Sequence, residues 1–473
     1  MKTSKQTFGV IIATRNIFNA QLAVDARKTV LAKLDKMGFE YVILPESETP
    51  TGNIEGYTDA VKCAALFKKN SDIIDGILVV LPNFGDELGV VNSIKLSGLK
   101  VPVLVQACDD DNNKVDVKSR RDAFCGKLSV CNNLYQYDIK FTDTISHTYS
   151  LESEAFTKDL LKFAGVCRVI KGLNGLRVGA IGTRPIGFQT MRFSEKLLQK
   201  YGITIVPVDM SEIIAAANAI DENDPAVTEK VAAIQEYGTC NVLHKGKIAK
   251  QARFGLAVEN WIQDNNIDIS ALQCWESIEK NYGCAACVTM SMMGEKLMPS
   301  ACEVDVAGTI SMYALALAAE TPSAILDWNN NFAEDRNKVV CTHCSNYPKS
   351  FFQNDIQIGS LDVLGTVLGS ENTFGAVKGK VAAGKMTYFR ISTDDTKGKI
   401  KTYLGEGMMT DDPYGMDGGI AVCEINDLQK LMKYMCKNGF EHHVAMVRGH
   451  VAEIVEEAIG NYLGWDLYNH DKE

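Results

Sequence analysis

Two acidic residues and a group of histidines are the parts of this chain whose types and spacing could do chemistry. Glu303 stands just before an apolar run, Val306 to Glu320, and Asp327 ends the short apolar segment that follows. Three of the seven histidines, His442, His443 and His450, fall within the stretch EHHVAMVRGHVAE near the C-terminal end. Two carboxylates at opposite ends of a core helix–strand unit are costly to bury without partners. They are either structural caps, or they serve a metal or an acid–base pair. Adjacent histidines point to different sides, so at most one of His442 and His443 readily joins a given site. Two carboxylates and one imidazole suit Mn²⁺, with Mg²⁺ or Co²⁺ as alternatives, and leave positions open for water or substrate oxygens. Such an ion can hold two adjacent oxygens of a sugar and stabilise an enediolate. Carboxylates alongside it can carry a proton between neighbouring carbons. The same set suits hydrolysis.

These residues need rigid elements to hold them. Val306 to Glu320 is almost uncharged and reads as a buried helix, with Gly308 and Pro322 at its start and stop. The expected fold class is α/β: two doubly wound α/β domains followed by a domain containing a small antiparallel β-barrel. Residues 1–171 alternate short apolar strands (FGVIIAT, YVILPE, DGILVVLP, VPVLVQAC) with amphipathic helices. That pattern implies a flavodoxin-like parallel sheet covered on both faces. Its strand ends carry Thr14-Arg15-Asn16, Asn83-Phe84-Gly85-Asp86-Glu87 and Asp109-Asp110-Asp111, where ligands bind in open α/β sheets. No GxGxxG or P-loop follows a strand. Residues 172–352 repeat the alternation, from LRVGAIGTRPIGF and ITIVPVDMSE through IDISALQCW to KVVCTHCSNYP. Residues 353–473 change character. Glycine-punctuated pieces such as GTVLGS, FGAVKGKV, GKMTYFRIS, KIKTYLGEG and GGIAVCEI read as short strands. A helix, DLQKLMKYMCKNG, follows with Gly439 as its C-cap, and the tail reads as a turn, a helix and a last strand.

Composition sets the class. The 473 residues are 46% hydrophobic and 23% charged, with a formal net charge of −10, which is ordinary globular material. The acidic balance and the lack of any Lys/Arg block argue against nucleic-acid or anionic-membrane partners. No stretch approaches a membrane span. The apolar start, Phe8 to Ala13, reads as a first strand and not a signal peptide, so a cytoplasmic location is expected. Fourteen cysteines are scattered, many in apolar segments. Two CxxC pairs, Cys284/Cys287 and Cys341/Cys344, read either as buried thiols or as a long-spaced zinc site.

Several segments resemble the L-fucose isomerase/L-arabinose isomerase superfamily. GAIGTRPIGF…VPVDMSE is similar to the start of the second fucose isomerase domain. ACEVDVAGTISMYAL and LDWNN resemble the segments bearing a metal-binding glutamate and aspartate, and EHHVAMVRGHVAE resembles the segment in which a histidine ligand precedes a GHV triplet. VVCTHCSNYP is similar to the arabinose isomerase strand with an additional histidine ligand. The resemblance implies a Mn²⁺-dependent aldose–ketose isomerase working through a cis-enediol. Glu303 and Asp327 would be ligands and bases, His443 the third ligand, and His343 a fourth. It also implies a homo-oligomer whose active sites lie near subunit interfaces and borrow an N-terminal loop, here the one carrying Phe84. Arg184 and Pro185 stand where fucose isomerases have small or apolar residues, which suits an anionic sugar such as the sulfonated hexose sulfoquinovose. Arg15, Arg184 and Arg192 are the candidate cations for it, and with Phe84 and His450 complete the expected substrate-binding set. A non-catalytic sugar-binding or sensing protein with paired α/β lobes is the alternative.

Overall fold

The computed structural model describes residues 5–240, 245–344, 346–416 and 418–472. His244 lies outside them. The chain divides into two units, one of residues 2–171 with 457–464, the other of residues 172–456 with 465–473.

In the first of these units, β1 (Thr7–Ile12), β2 (Glu40–Ile43), β3 (Gly76–Leu81), β4 (Val103–Ala107) and β5 (Thr142–Asp143) form a parallel sheet ordered β2-β1-β3-β4-β5. That is the flavodoxin-like order. Successive residues feed opposite faces, as strand geometry demands. Ile11, Ile77, Val79 and Val105 enter one core, while Val10, Ile12, Leu78 and Val80 enter the other. Burial on both faces explains why these strands read as continuous apolar runs.

The other unit holds two sheets. Strands β6 (Arg177–Ile181), β7 (Thr204–Val208), β9 (Ile269–Leu272) and β10 (Ser300–Ala301) form a parallel sheet ordered β10-β9-β6-β7. The second sheet takes β8 (Thr239–Cys240), β11 (Ser323–Phe332), β12 (Asp335–His343), β13 (Gln357–Ser360), β14 (Phe374–Lys380), β15 (Gly384–Asp394), β16 (Lys399–Met409), β17 (Gly419–Glu424), β18 (His443–Arg448) and β19 (Asp466–Asn469). Its ten strands run β19-β16-β15-β18-β11-β12-β17-β14-β13-β8. A further pairing joins β16 to β17. The strands β16-β15-β18-β11-β12-β17 therefore follow one another in a ring of antiparallel pairings. Two of the six precede residue 353, so the ring is not confined to the C-terminal segment.

Two local expectations are corrected. GTVLGS lies in a helix, Asp362–Leu368, and its end, rather than in a strand. HVAMVR is the buried strand β18 and not a turn. The expected core helix runs Val306–Ala319 and is buried along nearly its whole length. It packs against β9, β15 and β18. No helix among the described residues is long and apolar enough to cross a membrane.

Candidate metal centre

The first acid sits on backbone that ordinary residues avoid. Glu303 lies in a tight turn, Cys302–Val304, between β10 and the core helix, with φ 54° at Glu303 and 55° at Val304. The left-handed region is unfavourable for any side chain with a Cβ, and most of all for a β-branched one. Its surroundings enforce it. Thr309 on the helix accepts from Ala301 N at 3.0 Å and donates to Ser270 O at 2.9 Å, tying helix, β10 and β9 together. Glu303 does not cap this helix. That role falls to Asp305, whose Oδ1 accepts from Gly308 N at 2.9 Å. Cys274 Sγ donates to Glu303 Oε1 at 3.4 Å, which leaves Oε2 for other partners.

The second acid and the histidines come from the strand ring. Asp327 lies on β11, level with His443 on β18. His343 is the last residue of β12, on the other side of β11. The four side chains converge. His443 Nε2 is 3.2 Å from Glu303 Oε2, 3.4 Å from Asp327 Oδ1 and 3.3 Å from His343 Nε2. His343 Nε2 is 3.5 Å from Glu303 Oε2. Glu303, His343 and His443 are all but inaccessible to solvent, whereas 27% of the Asp327 side chain is exposed. His442 stands at the open edge, with Nε2 3.7 Å from Asp327 Oδ1.

These contacts fit a cation. Glu303 Oε2 and Asp327 Oδ1 are buried and accept no well-formed hydrogen bond among the described residues. Two carboxylate oxygens and two imidazole nitrogens crowded together are costly unless a proton or a cation lies between them. Metal bonds of about 2.1–2.3 Å would set neighbouring octahedral ligands roughly 3.0–3.3 Å apart, close to the spacings here. Glu303, His343 and His443 form one group with atoms close enough to share an ion, and Asp327, His442 and His443 form another.

Charges without the ion are arranged accordingly. Burial would raise the Glu303 carboxyl, but the imidazoles of His343 and His443 outweigh it and hold it well below the usual carboxylate range. Burial pushes His343 down, yet Asp327 and Glu303 bring it up to about 9. Burial likewise opposes His443, and Asp305 and Glu303 carry it to about 9. At the rim, burial and the neighbouring His443 lower His442.

Other expected site residues lie elsewhere. The loop carrying Arg184 reaches this centre through Phe188, whose ring centroid is 5.7 Å from that of Trp275 and 6.0 Å from that of His442. Arg184 Nη1 makes one long contact, 3.5 Å to Pro185 O. Arg192 is exposed, donates from Nε to Gln189 O at 3.0 Å, and lines a separate cleft of 390 Å³ with Ser392, Lys401 and Glu441. His450 follows the far end of β18. Its Nδ1 is 3.2 Å from Glu406 Oε2 and its Nε2 is 3.3 Å from Gly407 O. Arg15 and Phe84 belong to the other unit, where the Arg15 guanidinium lies 4.3 Å from the Phe84 ring centroid and pairs with Glu87. The CxxC pairs do not assemble as a group of four among the described residues. Cys274 and Cys302 instead approach Glu303.

Sequence reasoning missed Asp305, Cys274, Arg390 and the nearness of His442 to Asp327. Asp305 followed by Gly308 at a helix start carries a capping signal. The other contacts depend on distant strands.

Residues 9–174 match the fucose/sulfoquinovose isomerase N-terminal domain, and residues 341–470 match the L-fucose isomerase C-terminal domain. Glu303 and Asp327 fall between the matched segments. A sulfoquinovose isomerase of Priestia megaterium is 25% identical over 444 residues, covering 93% of this chain and 94% of the relative. One of Alkalicoccus urumqiensis is 25% identical and covers 66% of this chain and 70% of its own. One of Clostridium sp. is 26% identical and covers 64% and 66%. These similarities define a sugar isomerase. The chain belongs to the L-fucose isomerase-like family of aldose–ketose isomerases.

Proposed function

We propose that this protein is a divalent-metal-dependent isomerase that interconverts a sulfonated aldohexose of the sulfoquinovose type and its ketose through a cis-enediol(ate). The convergence of Glu303, Asp327, His343 and His443, with two buried carboxylate oxygens that accept no well-formed hydrogen bond among the described residues, carries the reading. Those four residues would hold Mn²⁺, or Mg²⁺ or Co²⁺ in its place. The bound ion would supply Lewis-acid stabilisation of the two oxygens beside the reacting carbons.

The protein's own groups would move the protons. Asp327, partly open to solvent, is assigned the proton on C2 of the aldose and its delivery to C1. Glu303, the second carboxylate, is assigned the proton that passes from O2 to O1. Both transfers leave the atom count unchanged. The aromatic wall of Phe188 and Trp275 would limit water at the open edge. Arg184, on the same loop as Phe188, is assigned the sulfonate, for which a guanidinium offers paired charge-assisted donors. Arg15, Phe84, Arg192 and His450 are retained as substrate-binding candidates in a cytoplasmic homo-oligomer with sites near subunit interfaces. The six-strand ring, which spans the expected boundary at 352/353, is taken as the small antiparallel barrel of the family.

The test is ketose formation from sulfoquinovose, glucose and L-fucose, followed by ¹H NMR, before and after EDTA and with Mn²⁺ restored. Activity on the sulfonated sugar that EDTA removes and Mn²⁺ returns is expected. Undiminished turnover by the metal-free protein, or sugar binding without any ketose, sinks the reading.

A further inference from the structure

Behind His443 lies a buried chain of charges that a metal ligand set does not itself require. Asp305 Oδ2 is 2.8 Å from His443 Nδ1. Arg390, on β15, grips the same carboxylate with both terminal nitrogens, Nη1 to Oδ2 at 2.5 Å and Nη2 to Oδ1 at 3.0 Å. Its Nε donates to Glu441 Oε2 at 3.3 Å, and Glu441 Oε1 accepts from Ser392 Oγ at 2.8 Å. Arg390 and Asp305 are each 1% exposed and Glu441 8%. Buried ion pairs seldom stabilise a fold more than apolar side chains of the same volume would. Capping the helix would need Asp305 alone.

The geometry accounts for every acceptor position on Asp305. Oδ1 takes Gly308 N and Arg390 Nη2, while Oδ2 takes Arg390 Nη1 and His443 Nδ1. A carboxylate has about four such positions, so this one cannot rotate. Space is reserved for the arrangement too. A Cβ at Gly308 would collide with the Asp305 carboxylate and come within 2.8 Å of Arg390 Nη1. With Nδ1 beside Asp305, the His443 ring presents its Nε2 to Glu303, Asp327 and His343. The outer partner of a ligating histidine fixes tautomer and ring orientation in this way. Arginine is suited to the task because its planar fork matches a carboxylate at two points, which lysine cannot do.

We infer that Asp305 and Arg390 are positioning residues for the metal centre: Arg390 locks the Asp305 carboxylate, and Asp305 sets the ring of His443. The inference rests on the metal-site reading above. It goes beyond it by assigning a function to two residues that touch neither metal nor sugar.

The test is direct Mn²⁺ binding, read as free Mn²⁺ by EPR on chelated and dialysed protein, with circular dichroism as the folding control. Asp305→Asn is expected to weaken Mn²⁺ binding about 10–100-fold, the usual cost of losing such a partner. Arg390→Lys should weaken it less. In the Asp305→Asn background, Arg390→Lys should cause no further loss, because its effect passes through Asp305. Binding by Asp305→Asn equal to wild type, or the same loss from Arg390→Lys in both backgrounds, overturns the inference. Should Asp305→Asn not fold, Asp305→Glu replaces it, with weaker binding expected and unchanged binding overturning. Glu303→Gln tests the underlying reading separately. If wild type and Glu303→Gln bind alike, the metal site itself is wrong; if only Asp305→Asn binds like wild type, the positioning role alone is wrong.

Discussion

Asp327 and His443 face each other across the β11–β18 ladder, and their Oδ1 and Nε2 atoms lie 3.4 Å apart. Directly opposed residues in an antiparallel pair are near neighbours because the ladder fixes them so. Half of the candidate centre is thus set by strand register, and the helix turn carrying Glu303 needs only to be brought up against it.

Replacing either carboxylate with its amide keeps the shape and removes the charge. Glu303→Gln and Asp327→Asn should each lower kcat by about 10²–10⁴-fold or more, the range attributed to a positioned acid–base group. Circular dichroism should show retained fold. Initial rates of ketose formation at saturating Mn²⁺ give the measurement, and a variant within a few-fold of wild type would remove that residue from the mechanism.

Stability of the metal-free protein should depend on pH in a definite direction. His343 and His443 are raised from an ordinary 6.5 to about 9. Protonated imidazoles therefore favour the folded state, fully so below about 6.5 and progressively less as pH rises through 9. Glu303 is depressed, so its contribution is present above 4.5 and lost on acidification. Melting temperatures in EDTA should fall between pH 7 and 10. Mn²⁺ affinity should rise over the same interval, since metal binding displaces imidazole protons. A flat melting profile together with pH-independent affinity would contradict both.

Gly308→Ala changes no site residue yet places a methyl group against Asp305 and Arg390. Alanine favours a helix over glycine by about 0.8–1 kcal/mol. Here the crowding should reverse the sign and destabilise by roughly 1–3 kcal/mol, with weaker Mn²⁺ binding. Urea denaturation in EDTA reads the first effect and EPR titration the second. A more stable variant with native affinity would show that the carboxylate can move aside.

Arg184→Ala should raise KM for the sulfonated hexose by at least about tenfold, as loss of a charge-assisted hydrogen bond implies. Turnover of an uncharged aldose should change little. Equal losses on both sugars would mean that Arg184 only shapes its loop.

The core helix could be read from the sequence because an uncharged run longer than any strand has few other solutions. Glu303, Asp327 and His443 were visible as residue types in suggestive segments, and the structure brings them within reach of one another. Their supports were hidden for a physical reason. Arg390 meets Asp305, and Cys274 meets Glu303, only once separate strands are aligned, and no local period records that. Strand β18 is hard to read from the sequence because the His442-His443 pair straddles its start and Gly449 follows its end. GTVLGS misled through its glycines. Gly365 lies inside the helix and Gly369 terminates it.

The strand ring has a consequence for how the molecule is made. β11 and β12 leave the ribosome as a hairpin whose outer edges are completed by β18 and β17, both synthesised much later. Unpaired edges are templates for wrong partners. The hairpin therefore precedes both of the strands that cover its edges, and the two halves of the centre meet only once β18 has emerged.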